Sequence, residues 1–358
     1  MKGTHTVVVE RAKVKYTLTF KRNISFIRGN SGTGKTTLIS MIRDYNDRGP
    51  ESGVALSCDA PCETLSGRRW ERELSIIEDS IVFLDEGNEF IYSKDFAKAV
   101  NGSSNYYVLI SRRDANELPY SVDEILKLVN TTSKTINGRK SDKRFYSVTK
   151  PLYTHTANML YQDLNVGFDN PDAVIVEDSK SCYQFYSALC NRLGIPCYTA
   201  TGVANLKRTI HECPEQNILA IGDGAAFGPY IEKVLGQRVY KNVRLFLPES
   251  FEWTLLQSGL IPNNDIPKIL KDPSSYIESR DYLSWERFFT DVLIKYSAGT
   301  RYAYKKTKLN EQYLRPQAMD AAASILPECL RAELRVLNII WKPGNAHALE
   351  LPRERLLH

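Results

Sequence analysis

The sequence predicts an α/β protein: one sheet built around a glycine-rich turn, a second α/β sheet after it, and a helical carboxyl-terminal extension. Three observations carry this. A short β-branched strand runs into a glycine-rich turn and then a helix within residues 23–45. Apolar strands that end in acids occur at 80–86 and again at 173–178. Between 173 and 247 four apolar strands alternate with helical segments, the pattern of a mainly parallel sheet.

The elements follow in order. Residues 6–9 and 16–20 alternate as strands, and 23–28 form a third, short and β-branched. A helix is expected from Lys35 to Tyr45, ended by Asp47-Arg48-Gly49-Pro50. Residues 68–79 and 93–100 read as helices, 80–84 and 106–110 as buried strands, and 121–130 as a helix. The alternation weakens over 133–170, which reads as a basic linker between a first domain (1–132) and a second (171–258). In the second domain, strands at 173–176, 196–199, 218–221 and 243–247 enclose helices near 180–193, 205–213 and 228–236. Residues 259–358 read as helical, with an aromatic stretch (Tyr282, Trp285, Phe288, Phe289) and a final helix near 328–341.

Composition excludes several classes. Apolar residues are 42% and charged residues 25% of the 358, which is ordinary globular usage. No run approaches the apolar length of a membrane span. The opening Met1-Lys2-Gly3-Thr4-His5 lacks the apolar core of an export signal, so a cytoplasmic protein is expected, with its seven scattered cysteines reduced. Cys58 and Cys62 have no second Cys/His pair nearby to complete a zinc site, and no Gly-x-Ser-x-Gly elbow is present. The formal charge is only +5, but its distribution is uneven. Residues 134–150 carry Lys134, Arg139, Lys140, Lys143, Arg144 and Lys150 against Asp142, and residues 301–315 carry Arg301, Lys305, Lys306, Lys308 and Arg315 against Glu311. Either stretch is able to track the phosphates of DNA or RNA, or to be a solvated face.

The strongest signal is Gly29-Asn30-Ser31-Gly32-Thr33-Gly34-Lys35-Thr36, followed by Thr37. It fits G-x-x-x-x-G-K-[ST] completely and lies between a strand and a helix, as the motif requires. Glycines let backbone N–H groups wrap a phosphate, and the helix amino terminus adds positive potential. The expected ligand is ATP with Mg²⁺: Lys35 reaches the terminal phosphates and the Thr36 hydroxyl ligates the metal. The strand 81–84 ends in Asp85 and Glu86, expected to hold the metal shell and to polarise the attacking water. Leu109-Ile110-Ser111 ends another strand. The resemblance to P-loop ATPases, which present a polar residue to the γ-phosphate from the strand beside the Asp-Glu strand, implies that role for Ser111. Arg112 and Arg113 read either as phosphate sensors, in cis or for a neighbour in trans, or as a surface basic loop. The leading strands and this loop, over residues 5–130, resemble the ABC-type and RecF-like P-loop ATPases. Leu65-Ser66-Gly67 resembles the start of the ABC signature; Arg68-Arg69-Trp70 departs from it, and Arg112 stands where that family carries a switch histidine.

The second alternation places Glu177 and Asp223 at the carboxyl ends of strands, on one edge of a parallel sheet where ligands gather. Convergent carboxylates suit Mg²⁺ and phosphodiester chemistry. Residues 173–256 resemble the TOPRIM module of topoisomerases, primases and OLD-family nucleases, through the glutamate strand, the turn Thr201-Gly202-Val203-Ala204, the strand 217–221 ending in Gly222-Asp223-Gly224, and the block Leu247-Pro248-Glu249-Ser250-Phe251-Glu252-Trp253. The resemblance implies metal ligation by Glu177 and Asp223, with Glu249 or Glu252 as a third carboxylate. The departures are Asp178 for the usual glycine, Ser181 for an acid and Ala225 for a second aspartate.

Two functions are expected from this reading. The first is an ATPase, with Lys35, Glu86, Ser111 and Arg112 as its catalytic group, controlling a TOPRIM-like sheet that acts on nucleic acid. The likeness to OLD proteins implies a setting in phage defence or mobile elements. The second is a nucleotide-gated interaction protein in which that sheet is a catalytically inactive scaffold. Either is expected to work as a homo-oligomer or with a protein partner.

Overall fold

The computed structural model describes residues 1–29, 32–132, 144–156, 159–161, 170–323, 325–327 and 330. The first sheet has nine strands: β1 (His5–Arg11), β2 (Val14–Phe20), β3 (Ile24–Arg28), β4 (Ala55–Ser57), β5 (Cys62–Thr64), β6 (Ile81–Asp85), β7 (Tyr106–Ile110), β8 (Ile125–Thr132) and β9 (Phe145–Pro151). Their spatial order is β4-β1-β2-β9-β8-β3-β7-β6-β5. From β8 through β3, β7 and β6 to β5 every pairing is parallel.

The edge strands β4 and β5 are joined only by residues 58–61. That connection spans at most about 17 Å, whereas the edges of a flat nine-stranded sheet would lie about 38 Å apart. The sheet therefore curls. Helix α1 (Lys35–Arg48) lies in the curl, and its Leu38, Ile39, Met41 and Ile42 join Val7, Leu18, Phe83 and Val108 in one core. Short helices α2 (Trp70–Leu74) and α3 (Lys94–Val100) pack on the other face, where Trp70 stacks on Phe90 with ring centroids 4.8 Å apart.

The second sheet holds β10 (Thr154–Thr156), β11 (Met159–Tyr161), β12 (Ala173–Val176), β13 (Cys197–Thr199), β14 (Asn217–Ile221) and β15 (Asn242–Phe246), ordered β10-β11-β15-β14-β12-β13. The last four are mutually parallel. Strand alternation divides their side chains between two cores. Ala173, Ile175, Ile218, Ala220 and Leu245 face the first sheet's Phe26, Leu84 and Leu109, and Val174, Val176, Leu219, Ile221 and Phe246 face away. Burial on both faces is why these strands read as continuous apolar runs. The chain crosses the sheet through α4 (Ser181–Leu193), α5 (Val203–Glu212) and α6 (Ile231–Leu235). The outer core is closed by α4, α7 (Phe251–Gln257), α8 (Ile266–Lys271), α9 (Trp285–Ser297) and α10 (Pro316–Ala323).

The structure differs from the sequence reading at three places. Residues 121–130 form a short 3₁₀ turn (Val122–Glu124) and then strand β8, not a helix. Ile125, Leu126 and Leu128 are buried there because β3 and β9 flank the segment on both sides. The expected helix over 68–79 is confined to α2. The region read as a linker supplies β9 to the first sheet and β10 and β11 to the second. Residues 133–143 and the helix expected near 328–341 lie outside the described residues, apart from Leu330, which is buried.

Candidate functional site

The glycine-rich turn leaves β3 at Arg28. Gly29, Gly32 and Gly34 have φ of 138°, 81° and 90°, backbone that favours glycine. Gly34 is further constrained by space: a Cβ there would lie 2.6 Å from Tyr16 Oη, which donates a hydrogen bond to the Gly34 carbonyl at 2.8 Å. Gly34 also caps α1 without any side-chain bond, so the first N–H groups of the helix keep their donors for what lies in front of them. Asn30 and Ser31 lie outside the described residues. Lys35 Nζ folds back on the turn, donating to the Gly29 carbonyl at 2.7 Å and to Thr33 Oγ1 at 3.1 Å. Burial and the charge of Arg112 pull the Lys35 pKa down, and Glu86 opposes them.

A cavity of about 300 Å³ opens in front of this turn. Lys35, Thr36 and Thr37 line one wall; Asp85, Glu86, Ile110 and Arg112 line the other. The second wall is set by strand order, since β7 separates β3 from β6 and the ends of β6 and β7 lie side by side. Asp85 accepts the Glu86 N–H at 2.9 Å, and Arg112 Nε stands 4.0 Å from Glu86 Oε2. Ser111 is not in this wall. It is fully buried, its hydroxyl 2.7 Å from Tyr92 Oη and bonded to the backbone of Arg113. Arg113 turns away as well, over the Tyr92 ring and onto Glu89. The cavity combines backbone N–H groups and an ammonium with a hydroxyl and a carboxylate. Such a set suits a polyanion, and the Thr36 hydroxyl and Asp85 supply oxygens of the kind a hard divalent cation takes.

The second sheet brings Glu177 and Asp223 together. Glu177 Oε2 accepts the Asp223 N–H at 3.1 Å, and Asp223 Oδ1 accepts the Phe251 N–H at 3.0 Å, at the start of α7. Gly222 is packed closely: a Cβ there would lie 2.7 Å from Glu177 Oε2 and 2.9 Å from the Phe227 ring, so a side chain would displace the Glu177 carboxylate. Glu252 joins them, buried, with Oε1 accepting from Tyr304 Oη at 2.7 Å and Oε2 without a hydrogen-bond partner. Glu249 does not: its carboxylate pairs with buried Arg22, whose guanidinium lies 3.6 Å above the Trp285 ring. Of the departures from the family pattern, Asp178 accepts the N–H groups of Lys180 and Tyr183 at the start of α4, Ser181 bonds Tyr304 Oη, and Ala225 is buried.

Two residues of this cluster escape the sequence reading. Glu286, from α9, and Lys306 are ion-paired to each other, and Lys306 Nζ is 3.8 Å from Glu252. Lys306 points inward while Arg301, Lys305, Lys308 and Arg315 are exposed. No local spacing signals this, because the partners are far apart in the chain. Burial pushes the Glu177 carboxyl up to about 7. Burial also raises Asp223 well above the usual carboxylate range, helped by Glu286, Glu177 and Glu252. Burial works against the charge of Lys306, but the surrounding acids outweigh it and raise its pKa. Among the described residues no group of three or more His, Cys, Asp or Glu side chains is arranged to hold a metal.

Of the basic stretch 134–150, residues 133–143 lie outside the described residues, and Arg144 pairs with Glu10. In the aromatic stretch, Trp285, Phe288 and Phe289 are buried in the outer core. No helix among the described residues is long and apolar enough to cross a membrane. No protein-family model matches the chain, and comparison with curated proteins returns no match, so the site speaks through its geometry alone.

Proposed function

We propose that this chain is a P-loop nucleoside triphosphatase whose nucleotide state governs a TOPRIM-like sheet acting on nucleic acid. The observation that carries the first half is the single cavity onto which Lys35, Thr36, Asp85, Glu86 and Arg112 converge from the turn and two strand ends. The backbone donors of 32–37 bind the phosphates, and Lys35 neutralises the terminal ones. Glu86 is the candidate base: half exposed, it borders the same space and is free to orient a water for in-line attack. Arg112 steadies Glu86 and is placed to meet charge that develops on the γ-phosphate. Thr36 and Asp85 would hold Mg²⁺, which would supply charge neutralisation to the reaction. The direct test is nucleotide binding and steady-state hydrolysis by the full chain with Mg²⁺. Lys35→Ala is expected to lose binding, and Glu86→Gln to keep binding but lose turnover. Wild-type protein that binds no purine nucleotide sinks the proposal.

For the second sheet, the buried Glu252 Oε2 that lacks a hydrogen-bond partner, in a cluster with Glu177 and Asp223, favours a divalent cation and phosphodiester cleavage. A second reading, a nucleotide-gated docking protein without cleavage, is favoured by Lys306, whose ammonium already sits among these acids. Mn²⁺-dependent cleavage of DNA or RNA that is lost in Glu177→Ala selects the first. Lys35-dependent partner binding that Glu177→Ala leaves intact selects the second.

A further inference from the structure

Arg28 is the last residue of β3 and the direct neighbour of Gly29, yet its side chain points away from the turn into the seam between the sheets. It is buried, with only 7% exposed. Its guanidinium is paired with Asp114 and donates to Tyr120 Oη at 2.9 Å, and Nη1 lies 4.0 Å from the carboxylate of Glu232 on α6. Tyr120 Oη also donates to Asp114 at 3.1 Å, and Tyr153 Oη donates to Glu232. Asp114 in turn stands two residues beyond Arg112. One charge cluster, buried at Arg28 and half-exposed at Glu232, thus anchors both walls of the nucleotide cavity, the turn through Arg28 and the Arg112 strand end through Asp114.

The same cluster is bonded to the far sheet. The Gly228 N–H donates to the Tyr120 carbonyl at 2.9 Å, and the Val122 N–H donates to the Gly224 carbonyl at 3.1 Å. The fit is close: a Cβ on Gly228 would lie 2.2 Å from the Tyr120 ring. Residues 224–228 immediately follow Asp223. The segment 120–122 therefore touches the cavity's anchor on one side and the loop of the carboxylate cluster on the other.

We propose that the Arg28–Asp114–Glu232 cluster, with Tyr120 and Tyr153, transmits occupancy of the glycine-loop cavity to loop 223–228 and α6 of the second sheet. The inference rests on the nucleotide reading above and specifies its regulation. A γ-phosphate competes with the Gly29 carbonyl for Lys35 and draws Arg112 inward. The first change frees the peptide beside Arg28, and the second pulls on Asp114. A buried guanidinium follows its carboxylate, because leaving it unpaired in low dielectric is costly. Its approach to Glu232 then changes, and with it the seating of α6.

The test is hydrogen exchange over residues 222–235 in the full chain, with and without a non-hydrolysable ATP analogue and Mg²⁺. Nucleotide binding is read separately by calorimetry. In wild type the analogue is expected to change exchange rates there about fivefold or more, the lower end of ordinary coupling between sites. Glu232→Gln and Tyr153→Phe, both outside the binding site, are expected to bind the analogue with unchanged affinity while losing most of that response. Wild-type exchange that ignores bound analogue overturns the coupling and leaves the nucleotide site standing, as does a full response in both variants. Failure of the analogue to bind wild type overturns both.

Discussion

The glycine-loop cavity and the second-sheet carboxylate cluster are opposite in construction. The first draws its ligands from one stretch of nine residues and the ends of two strands. Its charges border open space, and its ammonium is held below the ordinary lysine range by burial and by the charge of Arg112, against the pull of Glu86. The second is assembled from Glu177, Asp223, Glu252, Glu286 and Lys306, five separate places in the chain. Its acids outnumber its one cation, and two of them are raised, first by burial and then by the neighbouring acids. Burial shifts the charged groups of both sites, an ammonium downward in the first and carboxyls upward in the second.

Four measurements would break or sharpen this contrast. The largest effect is expected for Lys35→Ala, which removes the one ammonium of the cavity wall. Its ATP turnover should fall about 100-fold or more, in line with loss of a principal charge-stabilising donor. Next is Gly34→Ala, which sets a side chain at φ 90° and 2.6 Å from Tyr16 Oη. It should cost about 2–4 kcal/mol of unfolding free energy in urea titration, part of which Tyr16→Phe in the same chain restores.

The third concerns Lys306→Met. It leaves the acids without their resident cation and should lower unfolding free energy at pH 8 by about 1–3 kcal/mol, allowing for the side chain's partial exposure. Added Mn²⁺ should recover that loss, and a melting curve blind to Mn²⁺ would count against a cation site. The smallest effect follows from Glu177, whose carboxyl rises from 4.5 to about 7 on folding. A raised acid binds its proton more tightly in the folded chain. Its contribution is therefore fully present below about pH 4.5 and is lost as pH rises through about 7. Glu177→Gln should be more stable than wild type by about 1–2 kcal/mol at pH 8, with the gap closing toward pH 5.

How much was legible follows the same division. The strand–turn–helix at 24–48 and the acid-ended strand at 81–86 stood in the sequence because their causes are local: positive φ at glycines, β-branched runs, a helix start at Lys35. Residues 121–130 read as a helix in isolation because Ile125, Leu126, Leu128 and Val129 satisfy either period. Only the pairing with β3 and β9 makes them a strand. Ser111 sits at a strand end as expected, but Tyr92 covers it.

The sequence by itself determined the two alternating units, the glycine-rich turn between strand and helix, and the acids at the strand ends. These depend on backbone sterics and on side-chain period within a few residues. The tertiary structure alone decided that the first sheet curls around α1, that Glu249 serves Arg22 rather than Asp223, and that Lys306 turns inward while its basic neighbours face solvent. Those choices are made by burial and by charge pairing between residues tens to hundreds of positions apart, and no window of sequence holds both partners.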